Sequence, residues 1–547
     1  MKLGHRYAIF ALLLPMLTGC YKDLGKYDYT NSPQVEFGNA ATVSYSFITG
    51  EDFEIDAPIK FSDEVEDVDK EFLIEWYVDR KLIHTGYHLK YRIDEGGAYE
   101  LVIKATNRKT GEIFLMERAL TLNIKNCFEW GWMILSEHGD RKSVLSFITP
   151  DQKTFRHIEK SIGEELGTGP TGLYYYYVLG TIPGSYVSGI PKIIVNQSSG
   201  SITLDGNTLK KDMLLSDEFE NTIEPDNFEI SAFASKRKYY ALFTKDGNVY
   251  IRGVGYDNSS IPYYGKYSSS PYEFEGGARI SCVSTFHNNT FHCFDEYNCM
   301  LYDSLNGRFI CITDSGYKKP YFPSIVYLRT YDQSLNIPAG VLRVDNMGAN
   351  TKCLGIGAYE NVDIEGKYKA IKMWANYVSL IDVNGCGDYQ IHEFSIKKLS
   401  KRSHLITATN QYAFSGASII NESSIIGMSS NFRKNPYFYF TDGGKKLYAY
   451  SMKLRRHVLV YQSKERITKI AGSPVVSEFS EYGGHSPEAN FRLALAQEDG
   501  GIAIIDVNPV VLEGLFSGIP KQVELLYEEG FGNVKGIVWC TNYQGEY

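Results

Sequence analysis

The sequence predicts an all-β fold, an N-terminal β-sandwich followed by a β-propeller of seven blades, with six or eight blades as the alternatives. Three observations carry that prediction. Tyr, Phe and Gly are abundant, at 42, 29 and 50 of 547 residues, a balance that favours pleated strands joined by tight turns over helices. Short runs of alternating apolar and polar residues recur along the chain, and sustained helical periods are scarce. From Trp130 onward, turn glycines between apolar runs return at intervals of about 50 to 60 residues, which is the length of a four-stranded blade.

The first element is a leader. Lys2, His5 and Arg6 precede an apolar run from Tyr7 to Leu17, and Leu17-Thr18-Gly19-Cys20 closes it. The run is too short for a permanent membrane span, and small residues before a cysteine are what a lipid-processing peptidase requires. Residues 1–19 are therefore read as a lipoprotein signal, cleaved so that Cys20 becomes the lipidated first residue of the mature chain. Several acyl chains on one residue make a stable anchor, because each buried methylene contributes about 0.8 kcal/mol and a single chain is marginal. Cleavage removes Lys2 and Arg6 and no acid, taking the formal charge from −9 to −11. An acidic chain without a basic run excludes nucleic acid as a natural partner and leaves membrane attachment to the lipid.

Residues 20–35 read as a lipidated polar tether. Residues 36–125 read as a compact sandwich with strands at Val43–Phe47, Phe72–Asp79 and Ala98–Asn107, in which Trp76 and alternate residues after Gly97 face the core. Residues 126–547 read as the propeller. Its turns are His138-Gly139-Asp140, Ser199-Gly200, Asp246-Gly247, Asn306-Gly307, Asn384-Gly385, Asp442-Gly443-Gly444 and Asp499-Gly500, in which Gly and Asn supply the positive φ that tight hairpins demand. On the order of thirty strands cannot remain one open sheet, since twisted sheets rarely exceed about ten strands. Closure into a ring, with the strand around Lys535–Cys540 latching beside Trp132–Ser136, removes the exposed edges. A pair of β-sandwiches is the rival arrangement.

The pairing of Glu75-Trp76-Tyr77-Val78-Asp79-Arg80-Lys81 with Gly97-Ala98-Tyr99-Glu100-Leu101-Val102-Ile103-Lys104-Ala105-Thr106-Asn107 resembles a PKD or immunoglobulin-like domain. Together with the lipidation motif and the long β-rich remainder, the layout resembles the PKD-like lipoproteins of Bacteroidota. That resemblance implies association with a SusC/SusD-type TonB-dependent nutrient importer and a lipid-anchored, surface-exposed place on the outer membrane. In this chain only Lys22-Asp23 stands where an acidic export signal would follow the lipidated cysteine.

Chemical motifs are few. HExxH, GxSxG, the phosphate-binding GxxxxGK[ST] and a GxGxxG at a strand-to-helix junction are all missing from the sequence, and the chain is read as a non-enzyme that needs no cofactor. Paired carboxylates on separate blades would leave no local motif, so a glycan-degrading hydrolase or lyase is the alternative, and a structural subunit without ligand is another. Asp382, Asn384 and Glu393 fall at the first, third and twelfth places of a calcium-loop spacing with Gly387 at the sixth, although Cys386 is a poor ligand for a hard cation and the strand-like flanks equally read as an ordinary acidic hairpin turn. The loop Ile261–Tyr272 carries Tyr263, Tyr264, Tyr267 and Tyr272 among Pro, Gly and Ser. As a surface loop it would present flat rings to an oligosaccharide or an oligopeptide; the alternative is that the rings fold back over a blade edge. Tyr174–Tyr177, by contrast, reads as a strand with alternate rings buried. Export permits disulfides, and Cys293 with Cys299 or Cys311 is a candidate pair, with isolated buried thiols as the equal alternative.

Overall fold

A computed structural model describes residues 33–37, 44–116, 119–128, 130–161, 165–180, 188–221, 228–236, 239–253, 266–284, 298–313, 324–328, 337–359, 374–400, 403–428, 437–473 and 491–540. The chain divides into two compact units, one from residues 1–47, 51–92 and 98–123 and one from 48–50, 93–97 and 124–547.

The first unit is a β-sandwich. Its main sheet orders Ser44–Ile48, Leu120–Lys125, Gly97–Asn107, Phe72–Val78 and Lys81–Thr85, while Asp52–Asp56 pairs with His88–Arg92 and Val35–Phe37 with Ile59–Phe61. Along Phe72–Val78 every second side chain is buried, the period a half-buried strand must have. Ile74 and Trp76 lie opposite Ala105 and Ile103, and all four are fully buried. The Trp76 indole N–H donates to the carbonyl of Gly86 at 2.8 Å, so the largest core ring buries no orphan donor.

The second unit is a propeller of seven sheets among the described residues, six of four strands and one of three. Blade 1 is Gly131–His138, Lys142–Ile148 and Thr154–Arg156, with Asn533–Cys540 as its first strand; blade 2 is Pro170–Gly180, Ser188–Gln197, Ile202–Asp205 and Lys211–Leu214. Blade 3 is Ile230–Lys236, Tyr239–Thr244 and Val249–Gly253, and blade 4 is Ile280–Val283, Asn298–Asp303, Arg308–Thr313 and Ser324–Tyr327. Blade 5 is Lys352–Tyr359, Trp374–Val383, Asp388–Ser400 and Ser403–Ala413; blade 6 is Ile426–Met428, Tyr437–Thr441, Lys446–Ser451 and Arg456–Gln462. Blade 7 is Ile467–Gly472, Arg492–Gln497, Ile502–Asp506 and Glu524–Glu528.

The apolar core shows that these sheets form a ring. Seven buried clusters each join two successive blades. The cluster of Trp132, Ile134 and Trp539 with Ala494, Ile502 and Ile504 joins blade 7 to blade 1 and closes the circle. Burial on both faces of each blade is why the central strands are almost wholly apolar, as in Tyr239–Thr244, where every residue is buried. Tyr174 and Tyr176 turn toward blade 3 and Tyr175 toward blade 1, the alternation expected for that tyrosine run. The latch is the pairing of Gly131–Glu137 with Asn533–Cys540, with Trp132 opposite Trp539.

All seven turn signals occupy one topological place, the hairpin between the second and third strands of their blade. At four blade borders the glycine carbonyl of that turn accepts a backbone N–H from the segment entering the next blade: Gly247 from Ile280, Gly307 from Met347, Gly444 from Ile467 and Gly500 from Phe531. The turns thus shape a hairpin and register one blade on the next.

Candidate functional site

Of the four tyrosines proposed as a ligand-binding loop, Tyr263 and Tyr264 lie outside the described residues. The structure separates the other two. Tyr267 is a correction to the surface-loop reading, being 1% exposed. Its backbone bridges Phe219 in parallel, with Tyr267 N–H donating to Glu218 O and Glu220 N–H to Tyr267 O, both at 2.9 Å. The ring packs against Phe219 at 5.1 Å and lies 5.0 Å from the Arg252 guanidinium.

Arg252 is the reason the ring turns inward. It sits in the strand Val249–Gly253 and meets Glu218, from the short 3-10 turn Leu215–Glu218, at 2.6 Å, with the side chains 3% and 2% exposed. Thr203 Oγ1 donates to the second Glu218 oxygen at 3.1 Å, and the Tyr240 ring takes the other cation–π position at 5.0 Å. Two buried charges are tolerable only when paired and surrounded by such partners. Burial opposes the Arg252 charge, but Tyr267, Glu218, Tyr176 and Tyr240 together hold its pKa above the ordinary value. Burial pushes the Tyr267 hydroxyl up, with Arg252 pulling partly back.

Five residues further, the segment surfaces. Tyr272 is 41% exposed, and its backbone N–H donates to Val249 O at 2.7 Å, fixing it to the outer strand of blade 3. Its ring stands edge-on to Phe274 at 4.9 Å, and burial followed by the proximity of Tyr327 raises its pKa. Beneath this ring, Glu275 N–H donates to the Tyr327 hydroxyl, and Arg308 lies 5.0 Å from the Tyr327 ring. The Arg308 donors go to Asp303 at 2.9 Å and to the carbonyls of Glu275 and Gly277 at 2.6 and 3.1 Å. Arg308 thus clamps the segment, and the Tyr272 face with exposed Glu273 beside it is the described surface suited to stacking on a sugar ring or peptide. Asn221 Nδ2 donates to Ser269 Oγ at 2.9 Å and ties the segment to the end of blade 2 as well.

The calcium-spaced residues are not brought together. Asp382 is 5% exposed and accepts the Gly387 N–H at 2.8 Å inside its own hairpin, whose Asn384 and Gly385 take φ of 58° and 65°. Glu393 lies along the next strand opposite Val378, whereas Asp382 lies opposite Tyr389, so at about 3.4 Å per residue the carboxylates are separated by several residues of strand. Glu393 instead accepts from the Tyr412 hydroxyl at 2.8 Å and Asn410 Nδ2 at 3.3 Å. A twelve-residue spacing converges only when the chain curls around an ion, and here it runs along a ladder. Among the described residues no group of three or more His, Cys, Asp or Glu side chains is placed to hold a metal.

Two pairings escaped the sequence reading. His138 and His157 meet edge to face at 5.4 Å, with His138 Nε2 at 2.8 Å from Phe531 O. Glu218 with Arg252 is the other, for which the one local signal was a charged residue at a buried place in a strand. Cys20 and Cys293 lie outside the described residues.

Residues 20–170 match the model of a PKD-like family. The match begins at Cys20, covers the sandwich and runs through the strands Gly131–Arg156 of blade 1. Comparison with curated proteins gives no match. Among solved structures, the chain is similar to a quinoprotein alcohol dehydrogenase-like protein from Bacteroides thetaiotaomicron, at 12% identity over 93% of this chain and 97% of that one, TM-score 0.35. AztD from Citrobacter koseri matches at 12% identity over 75% and 97%, TM-score 0.34. The β-propeller domain of Cps50 (Swd1) from Myceliophteria thermophila matches at 10% identity over 55% and 72%, TM-score 0.28. No helix among the described residues is long and apolar enough to cross a membrane.

Proposed function

We propose that this chain is a lipid-anchored accessory protein of the outer membrane that docks on a SusC/SusD-type importer and holds oligosaccharide or oligopeptide cargo near it. The observation that carries the reading is the coincidence of the Leu17-Thr18-Gly19-Cys20 motif with the start of the PKD-like match at residue 20. An anchored binder acts by effective concentration: tethering converts capture by the importer into a local event and requires no chemical step. The Tyr272 face is the proposed contact for cargo. The burial of Tyr267 leaves fewer rings for stacking than the loop's composition promised, which favours docking as the larger share of the role.

Affinity purification from detergent-solubilised outer membranes of the native host, with the lipidated chain as bait, tests this. Recovery of a TonB-dependent importer with its lid protein is expected, and a Cys20→Ala variant is expected to leave the membrane fraction. Recovery of the bait alone would sink the docking role, and retention of Cys20→Ala in the membrane would sink the anchor.

A further inference from the structure

Blades 4 and 5 meet through their first strands, Ile280–Val283 and Lys352–Tyr359, which lie side by side. Each of these strands carries a cysteine, Cys282 and Cys353, and both thiols are free. The two side chains are in hydrogen-bonding reach of one another, and both pack into the apolar cluster joining the two blades. Cys353 is 7% exposed and Cys282 is half-buried.

The backbone explains how the thiols come to face each other. First strands of this propeller carry a bulge near their start, between Pro170 and Gly172, Ile230 and Ala232, Ile280 and Cys282, Cys353 and Gly355, and Ile467 and Lys469. A bulge re-aims the side chains beside it. At blades 4 and 5 alone among these five it falls on a cysteine, just after the bulge in one strand and just before it in the other. Of the other described thiols, Cys311 is buried in the same blade 4 to blade 5 cluster but lies on the third strand of blade 4, its Sγ 3.7 Å from Ile312 O, whereas Cys299 faces the blade 3 to blade 4 cluster, Cys540 the blade 1 to blade 2 cluster, and Cys127 and Cys386 are exposed.

We propose that Cys282 and Cys353 are a modification site, a dithiol that oxidises to a disulfide stapling blade 4 to blade 5. The oxidant is a small or protein disulfide, RSSR. The half-buried Cys282 loses its proton and attacks one sulfur of RSSR, forming Cys282–S–S–R and expelling RS−. Cys353 then loses its proton and attacks Cys282 Sγ, forming the Cys282–Cys353 bond and expelling the second RS−. The two protein thiols are oxidised by two electrons, RSSR is reduced to two thiols, and the two protons pass to the thiolates. Burial, with Cys282 alongside, pushes the Cys353 thiol well above its ordinary pKa, so the second step is the slow one and quickens as pH rises. Covalent closure between two first strands would limit relative motion of blades 4 and 5.

The test uses the full reduced chain, incubated with oxidised glutathione, then alkylated, denatured and digested without reductant. The expected product is a linked peptide pair containing Cys282 and Cys353 that is two hydrogens lighter than the sum of its parts. It should be accompanied by an upward shift in Tm that dithiothreitol reverses and that Cys282→Ala lacks. Cys282→Ala changes the more exposed thiol, so it preserves the buried Cys353 packing and keeps the comparison meaningful. Glutathione remaining on Cys282 while Cys353 is recovered as a free thiol would overturn the proposal, as would an oxidant-induced Tm shift that persists in Cys282→Ala.

Discussion

At the scale of single residues, the Glu218–Arg252 pair decides the character of the candidate site. Opposite charges 2.6 Å apart with 3% or less exposure give up their hydration, and mutual attraction alone does not make such a pair strongly stabilising. Its role is positional: it recruits the Tyr267 and Tyr240 rings and thereby pins the segment that carries Tyr272 to its surface. Arg252→Met leaves the Glu218 carboxylate buried beside Thr203 without its cation and is expected to cost about 3–5 kcal/mol. The double variant Arg252→Met with Glu218→Leu is expected to recover much of that loss. Urea unfolding of the singles and the double measures it, and simple additivity would show that the two residues do not act as a pair. The same pair explains what was illegible here. Pro, Gly and Ser around Tyr267 read locally as a surface loop, whereas the burial of that ring is imposed by a carboxylate and a guanidinium from two different blades, which no local window contains. The rings of Tyr174, Tyr175 and Tyr176 were legible because strand alternation, a purely local rule, governs them.

Among elements, the second-to-third-strand turn is where sequence speaks most directly. Its glycines answer two separate demands, a left-handed backbone and room for the next blade. Gly500 has φ of 83° and a Cβ there would lie 2.6 Å from the carbonyl oxygen of Gly532, on the segment leading into the latch strand. Gly276 shares the left-handed geometry, with φ of 76°, but a Cβ there would meet nothing within 4 Å. Gly276→Ala is therefore expected to cost only the backbone term, about 1–2 kcal/mol. Gly500→Ala adds a backbone clash and the distortion of the hydrogen bond from Phe531 N–H to Gly500 O, 3.1 Å long, so its loss should be clearly larger. Thermal unfolding of both variants compares them, and equal losses would mean that the turn does not register the neighbouring blade. The left-handed backbone that all seven hairpins share is also why seven turns could be read from the chain at nearly regular intervals. The calcium spacing at Asp382–Glu393 was read by the same local logic and failed to converge, because spacing along a chain fixes geometry only once the backbone path is known, and the path is a ladder.

On the scale of the whole molecule, stability depends on closing a circle whose ends, Gly131 and Cys540, pair across 409 residues of sequence. The strand Asn533–Cys540 contributes to both clusters that flank blade 1: Val538 and Cys540 to the one shared with blade 2, and Val534, Ile537 and Trp539 to the one shared with blade 7. Without it Gly131–His138 becomes an unpaired edge, and two apolar interfaces open to water. A chain ending at residue 532 is therefore expected to lose cooperative unfolding of the propeller and to aggregate through the exposed edge. A synthetic peptide of residues 533–547 supplied in trans should restore a cooperative transition in proportion to its concentration, since a partner that binds only the folded ring stabilises it by mass action. Trp539→Ala in the full chain makes the milder version of the same cut, removing the ring that stands edge-on to Trp132 at 4.8 Å, with an expected cost of about 3–5 kcal/mol. Calorimetry separates the outcomes: a truncated chain that keeps a sharp transition near the intact Tm would mean that each blade pair is self-sufficient, and that the ring is a consequence of the fold rather than a condition of it.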